Sequence, residues 1–415
     1  MIKSRSSNLF ILFLIVFLDL VGVGIVVPVL APLLLNPSPL SDALQWSVQS
    51  RTILLGFLIA IYPLAQFFGA PLLGALADHH GRKPVLLISL VGTMVGYFFF
   101  ALGILWGNLP LIFFSRILDG FTGGNISVAN SSIADMSDGK SKTRNFGLIG
   151  MAFGFGFIVG PFLGGVLSDP QIVSWFNFDT PFWCAFGLSF LNILLIVTRF
   201  KETLPHPIQT PLSIWTGFRN LKRAYQMVNL RVMFAVVLFT NLGFTFFTQF
   251  FPVYLIEKFA FTQSQIGFTF AFIGASVALA QGVVVRPVSR RVPSHRVLSF
   301  SILFLAVLFP LLLFPPRALF IYFIIPFIAL FQGLTHPNAT TLVSNLADAE
   351  SQGEVMGVYQ SVQAVGHIFP PLIAGFIAVI NVNLPLLTAG LMTFFAWFIF
   401  MRFFRPQFKA RFHEI

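Results

Sequence analysis

Asp19, Arg116 and Asp119 are ionisable residues set inside long apolar runs, and the chemistry this chain can do starts with them. Asp19 lies about 11 residues into the first run, hence about 16 Å along a helix. A charge at such a depth in a membrane costs several kcal/mol unless it is paired, hydrated or protonated. Asp19 therefore reads as a site for a proton or a substrate cation, or else as a structural partner of Arg116. Arg116 and Asp119 are three residues apart and share a helix face. His336 and His367 are of the one side-chain type that ordinarily changes charge near neutral pH. Asn125, Gln249, Gln281, Asn338, Gln360 and Gln363 are amides in apolar surroundings, suited to binding a substrate or to hydrogen bonds between helices.

Other chemistries lack their residues. Cys184 is the single cysteine, so a disulfide within the chain and a thiolate metal cluster are both excluded. Two histidines without nearby carboxylates do not make a metal site, and HExxH, P-loop and paired CxxC motifs are absent. The stretch GFGFIVG at 154–160 resembles a dinucleotide loop only superficially, because no strand precedes it. With no set of nucleophile, base and oxyanion donors, no catalytic residue, metal or cofactor is expected, and the chain does not read as an enzyme.

The elements that hold these residues follow from composition. Hydrophobic residues make up 56% of the 415 and charged residues 9%, against about 25% charged in a soluble domain. Such a chain is solvated by lipid, and its 54 Phe fit a lipid-facing exterior. Apolar runs of about 20 residues, the length that spans a bilayer, recur twelve times. They fall near 8–35, 51–77, 83–106, 109–136, 144–168, 180–200, 229–256, 263–286, 295–314, 317–346, 354–379 and 383–404. Backbone groups in lipid must be satisfied internally, so these are helices, and they are too long for barrel strands. The first run is too long for a signal-peptide core and is read as a retained helix. Of the 25 basic residues, all but Arg51, Lys258, Arg317 and the intramembrane Arg116 fall on one side of this layout. That asymmetry predicts that both termini are cytoplasmic. The net charge of +11 then faces anionic lipid, and no nucleic-acid partner is needed.

The chain also repeats. DGFTGGNISVANSSIAD at 119–135 matches QGLTHPNATTLVSNLAD at 332–348, which pairs Asp119 with Gln332 and Asn125 with Asn338. Gly147, Gly156, Pro161 and Gly165 meet Gly357, Gly366, Pro371 and Gly375; Gly74, Arg82 and Lys83 meet Gly282, Arg290 and Arg291. A parallel repeat of two six-helix halves is a transporter architecture, with the cargo bound near the midplane between halves that rock. The expected division is 1–200, a cytoplasmic linker at 201–228 with a short interfacial helix around 214–227, and 229–415. The loop at 36–50 suggests no function.

Three segments carry a family resemblance. GALADHHGRKP at 74–84 resembles the hallmark loop of the major facilitator superfamily, through Gly74, Asp78, Gly81, Arg82 and Lys83. GFGFIVGPFLGG at 154–165, with Gly156, Gly160, Pro161 and Gly164, looks like the antiporter signature of helix five. LDLVGVGIVVPVL at 18–30 and RFKETLP at 199–205 are similar to tetracycline-efflux and related drug–proton antiporters. There are departures. Gly96 stands where tetracycline exporters carry an acid on helix three, and the second hallmark loop has Arg286 and Ser289 in place of Asp78 and Gly81. These departures argue against tetracycline itself as the substrate.

The resemblance implies an all-α membrane protein of twelve helices in two pseudo-symmetric bundles. It implies proton-coupled efflux of a small, partly apolar compound by a monomer in a bacterial-type inner membrane. It puts helices one and four beside the cavity, hence an Asp19–Arg116–Asp119 coupling cluster; Asp119 is the titrating acid if Arg116 pairs mainly with Asp19. Asn125, Gln249, His336, Asn338, Gln360, Gln363 and His367 become the substrate-binding candidates. The hallmark-loop and helix-five residues become gating elements, with Asp78 capping the start of the eleventh span near Gly353 when the transporter opens outward. Transport of a polar metabolite or siderophore, in either direction, and a receptor or scaffold without transport remain the alternatives.

Overall fold

The computed structural model describes residues 2–137, 142–204, 213–347 and 351–404. In chain order the helices are α1 (Ile2–Leu35), α2 (Pro39–Leu44), α3 (Val48–His80), α4 (Arg82–Leu105), α5 (Leu109–Thr122), α6 (Asn125–Met136), α7 (Lys142–Leu167) and α8 (Thr180–Arg199). They continue with α9 (Thr216–Gln226), α10 (Arg231–Phe259), α11 (Gln263–Leu279), α12 (Arg286–Arg291), α13 (Ser294–Leu311), α14 (Ile321–Leu346), α15 (Gln352–Ile380) and α16 (Leu384–Phe403). No strand occurs among the described residues. Ten of these segments are long and apolar enough to cross a membrane. The two other expected spans are α7 and the pair α5–α6.

The boundaries follow local chemistry. Asn108 accepts a hydrogen bond from the Leu111 N–H at the start of α5, and Thr262 and Gln265 form a capping box on α11. Gly81 turns the chain between α3 and α4 at φ +98°, a conformation only glycine adopts without strain. One expectation needs correction. The span at 109–136 is broken at Gly123–Gly124, where α5 ends and α6 begins. The span at 263–286 is continuous over Gln263–Val285, its last turn, Ala280–Val285, being π-helical. Pro161 does not interrupt α7.

Packing depends on small residues. A Cβ on Gly160 would lie 2.8 Å from the Gly24 Cα, so α1 and α7 touch backbone to backbone. A Cβ on Gly165 would lie 2.6 Å from the Gln263 carbonyl and 2.8 Å from the Gly267 Cα, which joins α7 to α11. On that same face, remote from the start of α1 and the end of α16, Phe57 meets Phe376 with centroids 6.1 Å apart, and Ser264 donates to Asp169 at 2.5 Å. Here the two halves close on each other.

The face at which α1 begins and α16 ends is organised differently. There α9 lies between α3 and α15. Phe218 packs on Phe67 and Phe68 of α3, with centroids 5.2 and 5.9 Å away. Asn220 donates to Ser361 Oγ at 3.0 Å, and Arg223 pairs with Glu354 at 2.8 Å, both on α15. A helix stands where the short linker helix was expected, and it touches both α3 and α15.

The packing makes a stability prediction. Gly165→Ala forces α7 and α11 apart and should cost about 1–3 kcal/mol. Gly187→Ala, at a position where a Cβ meets nothing within 4 Å, should be neutral or stabilising by up to about 1 kcal/mol. Melting temperatures of the purified variants in detergent distinguish the two.

Candidate functional site

The centre of the first half is a buried polar cluster. Asp19 sits midway along α1 and is 8% exposed; Arg116 and Asp119 on α5 are 6% and 3% exposed. Arg116 pairs with Asp119 at 3.1 Å, and its guanidinium lies 4.4 Å above the Tyr62 ring of α3. Planar, delocalised charge suits that stacking. Asp19 forms no ion pair within 4.0 Å among the described residues. The sequence left open which acid holds Arg116; the fold gives Arg116 to Asp119.

The break between α5 and α6 shapes this site. A helix interruption frees carbonyls that lipid cannot satisfy. Here Ser89 Oγ donates to the Thr122 carbonyl and Gln66 Nε2 to the Gly123 carbonyl, the latter at 2.7 Å. The second fragment begins at Asn125, beside Asp19. The positive end of a short helix is thus brought to the carboxylate. Neither Asn125 amide atom nor Thr93 Oγ1 makes a hydrogen bond of normal geometry, though they stand beside Asp19 and Asp119, and all are buried; Arg116 Nε and Tyr97 OH are also buried and unmet. So many unmet groups around two acids make a site suited to a proton, a water or a polar cargo group.

Tyr62, Tyr97 and Thr93 belong to this cluster, and the sequence reading passed over them. Both tyrosines lie in the field of Asp19 and Asp119. Tyr97 reaches over Gly22, where a Cβ would meet its hydroxyl at 2.6 Å. Their signal was an aromatic hydroxyl in an apolar run, hard to separate from ordinary packing. Gly96 has a reason too: a Cβ there would lie 2.9 Å from the Asp119 Cβ, so the missing side chain leaves room for Asp119.

In the second half, Gln360, His336 and His367 are solvent-accessible, and the two histidines lie deep within the bundle. His336 Nε2 lies 3.1 Å from Gln363 Nε2, and His367 Nδ1 lies 2.9 Å from Thr245 Oγ1. His336, Gln363 and Tyr359 form one group, and His367 lies within the field of His336. Gln249 is partly buried on α10, and Gln281 is exposed at the π-helical segment. Asn338 is turned inward and donates to the Leu334 carbonyl of its own helix at 2.7 Å.

The hallmark-loop residues form a separate, peripheral network. Arg82 bridges Asp78 at 2.6 Å and Asp135 at 2.9 Å. Lys83 donates to the Val197 and Phe200 carbonyls at the end of α8. Glu202 accepts from the Arg82 and Lys83 amides, at 2.9 and 3.0 Å, and from those of Thr203 and Leu204. Partial burial pushes its carboxyl up, but these backbone donors outweigh it and hold Glu202 below the usual carboxylate range. Gly74 lies near Ser127 with room to spare, whereas Gly156, Gly160 and Gly164 line the seam with α1.

A helical membrane bundle with a buried acid–arginine cluster in its first half and a group of histidines and amides in its second has the form of a secondary transporter. The profile of the Major Facilitator Superfamily matches residues 12–371. The chain belongs to that superfamily. It is 32% identical to the class C tetracycline resistance protein of Escherichia coli over 372 residues, 89% of each chain. It is 25% identical to multidrug resistance protein 1 of Bacillus subtilis, over 95% of this chain and 97% of that one. The solved D-xylose–proton symporter superposes with a TM-score of 0.78 at 14% identity, covering 96% of this chain and 98% of the other, a likeness of fold.

Two outcomes test the site. Tyr62→Leu removes the ring beneath Arg116 and should lower stability by about 0.5–2 kcal/mol, while Tyr62→Phe should retain most of it; melting temperature reads both. Glu202 carries a depressed pKa, so its contribution is fully present above the unfolded value of 4.5 and fades as pH falls through the lower folded value. Glu202→Gln should therefore melt earlier than wild type at pH 7, and the gap should shrink in acid.

Proposed function

We propose that this protein is a proton-coupled exporter of a small, partly apolar compound, working by alternating access as a monomer in a bacterial-type inner membrane. Asp19 carries this reading: a central carboxylate without an ion pair, while Arg116 is engaged by Asp119. Protonation of Asp19 removes the charge that the start of α6 attracts, and so changes the balance between conformations. The relatives named for tetracycline and multidrug resistance support efflux. Cargo would bind in the cleft through His336, Gln360, Gln363 and His367, with Asn125 and Gln249 beside them.

The basic-residue asymmetry supports cytoplasmic termini. The closed face is then the outer one, and the conformation is inward-facing. The halves 1–200 and 229–415 rock about the seams of α7 with α11 and of α3 with α15. With α9 between α3 and α15, the ends of those two helices are held apart. Outward opening requires α9 to withdraw, so that Asp78 can reach the start of α15 near Gly353.

The test is proton-gradient-driven flux in proteoliposomes, with ethidium and tetracycline as probes and Asp19→Asn and Asp119→Asn alongside wild type. Asp19→Asn should lose gradient-driven flux by about a hundredfold or more while still exchanging cargo down its own gradient. Asp119→Asn should impair it less. Undiminished gradient-driven flux in Asp19→Asn would sink the coupling role.

A further inference from the structure

Asn241 on α10 and Gln332 on α14 line a small cavity together with Thr240, Thr335, His336 and Tyr359. Neither amide has a role in the proton step. Their setting mirrors the acid cluster of the first half. Phe239-Thr240-Asn241-Leu242 repeats Phe17-Leu18-Asp19-Leu20, and Gln332 is the counterpart of Asp119. The packing repeats too. A Cβ on Gly156 would press on Leu20 at 2.5 Å, and one on its counterpart Gly366 would press on Asn241 at 2.7 Å and approach Leu242. The counterpart of Arg116 is Ala329. The second half thus holds a copy of the cluster in which amides replace both carboxylates and the cation is gone.

This copy has bonding capacity left over. Asn241 Nδ2 donates to the Val237 carbonyl at 2.9 Å, which leaves its oxygen for a further partner. Gln332 Oε1 is buried and has no partner. No carboxylate, Lys or Arg lines the cavity, so an ionic ligand would lose its hydration there without a counter-charge. An uncharged group that both donates and accepts would satisfy an amide in either orientation.

We propose that this cavity is a cargo subsite for an uncharged hydrogen-bonding group, a carboxamide or hydroxyl, separate from the acid cluster that binds the proton. The subsite rests on the exporter reading for its cargo; its test measures binding alone. Two matched cations serve as probes, n-butyltriphenylphosphonium and the same cation with its chain ended in a carboxamide. Purified wild type should bind the carboxamide about tenfold more tightly than the alkyl cation, the value of about one hydrogen bond. In Gln332→Met and Asn241→Leu that advantage should vanish while butyl binding is unchanged, which also reports an intact fold. No carboxamide advantage in wild type, an advantage that persists in both variants, or equal loss of both probes in the variants overturns the subsite. Proton-driven flux of both cations, assayed in parallel, reports on the exporter reading separately. The affinity split without such flux overturns that reading and leaves the subsite standing.

Discussion

A peptide group inside a bilayer must find its hydrogen bond within the protein, because hydrocarbon offers none. That constraint makes every span a helix, and it explains the most unusual local feature. The chain breaks at Gly123–Gly124 in the middle of a span, and the freed carbonyls are met by Ser89 and Gln66 from neighbouring helices. The break is affordable only because α3 and α4 supply those donors. Its result is a helix start beside Asp19, a position no unbroken span could provide.

The same constraint governs side chains. Arg116 is held by Asp119 and by the face of Tyr62, which supplies attraction without needing water. Asp19 has no ion-pair partner among the described residues; beside it stands Asn125, at the start of α6. An unpaired polar group is costly in a low-dielectric interior, so a carboxylate in that setting suggests a site that changes state. The second half shows the alternative solution, in which amides at the equivalent positions remove the charge and keep the capacity to hydrogen-bond.

Movement between two halves requires contacts that can be made and broken. The backbone approach at Gly165–Gly267 joins α7 to α11 with little side-chain volume between them. The α9 contacts are of another kind: a ring cluster on α3, and two hydrogen bonds from Asn220 and an exposed ion pair on α15. Exposed pairs contribute little, so α9 is held mainly by aromatic packing.

Much was legible in the sequence because membrane insertion is read from local hydropathy. The spans, the linker helix at 216–226, the parallel repeat and the family needed only runs of apolar residues, basic clusters and glycine motifs. Asp19, Arg116 and Asp119 stood out because charge in an apolar run is rare. What the tertiary structure alone decided is which of them meet. Spacing along one helix put Arg116 near Asp119, but only the crossing of α1, α3 and α5 gave Arg116 to Asp119, set Tyr62 beneath it and left Asp19 without an ion pair among the described residues. Nor could the sequence show that Gly96 makes room for Asp119, or that Asn338 turns back to its own helix. These depend on distances between helices far apart in the chain, which are set by packing across the whole bundle.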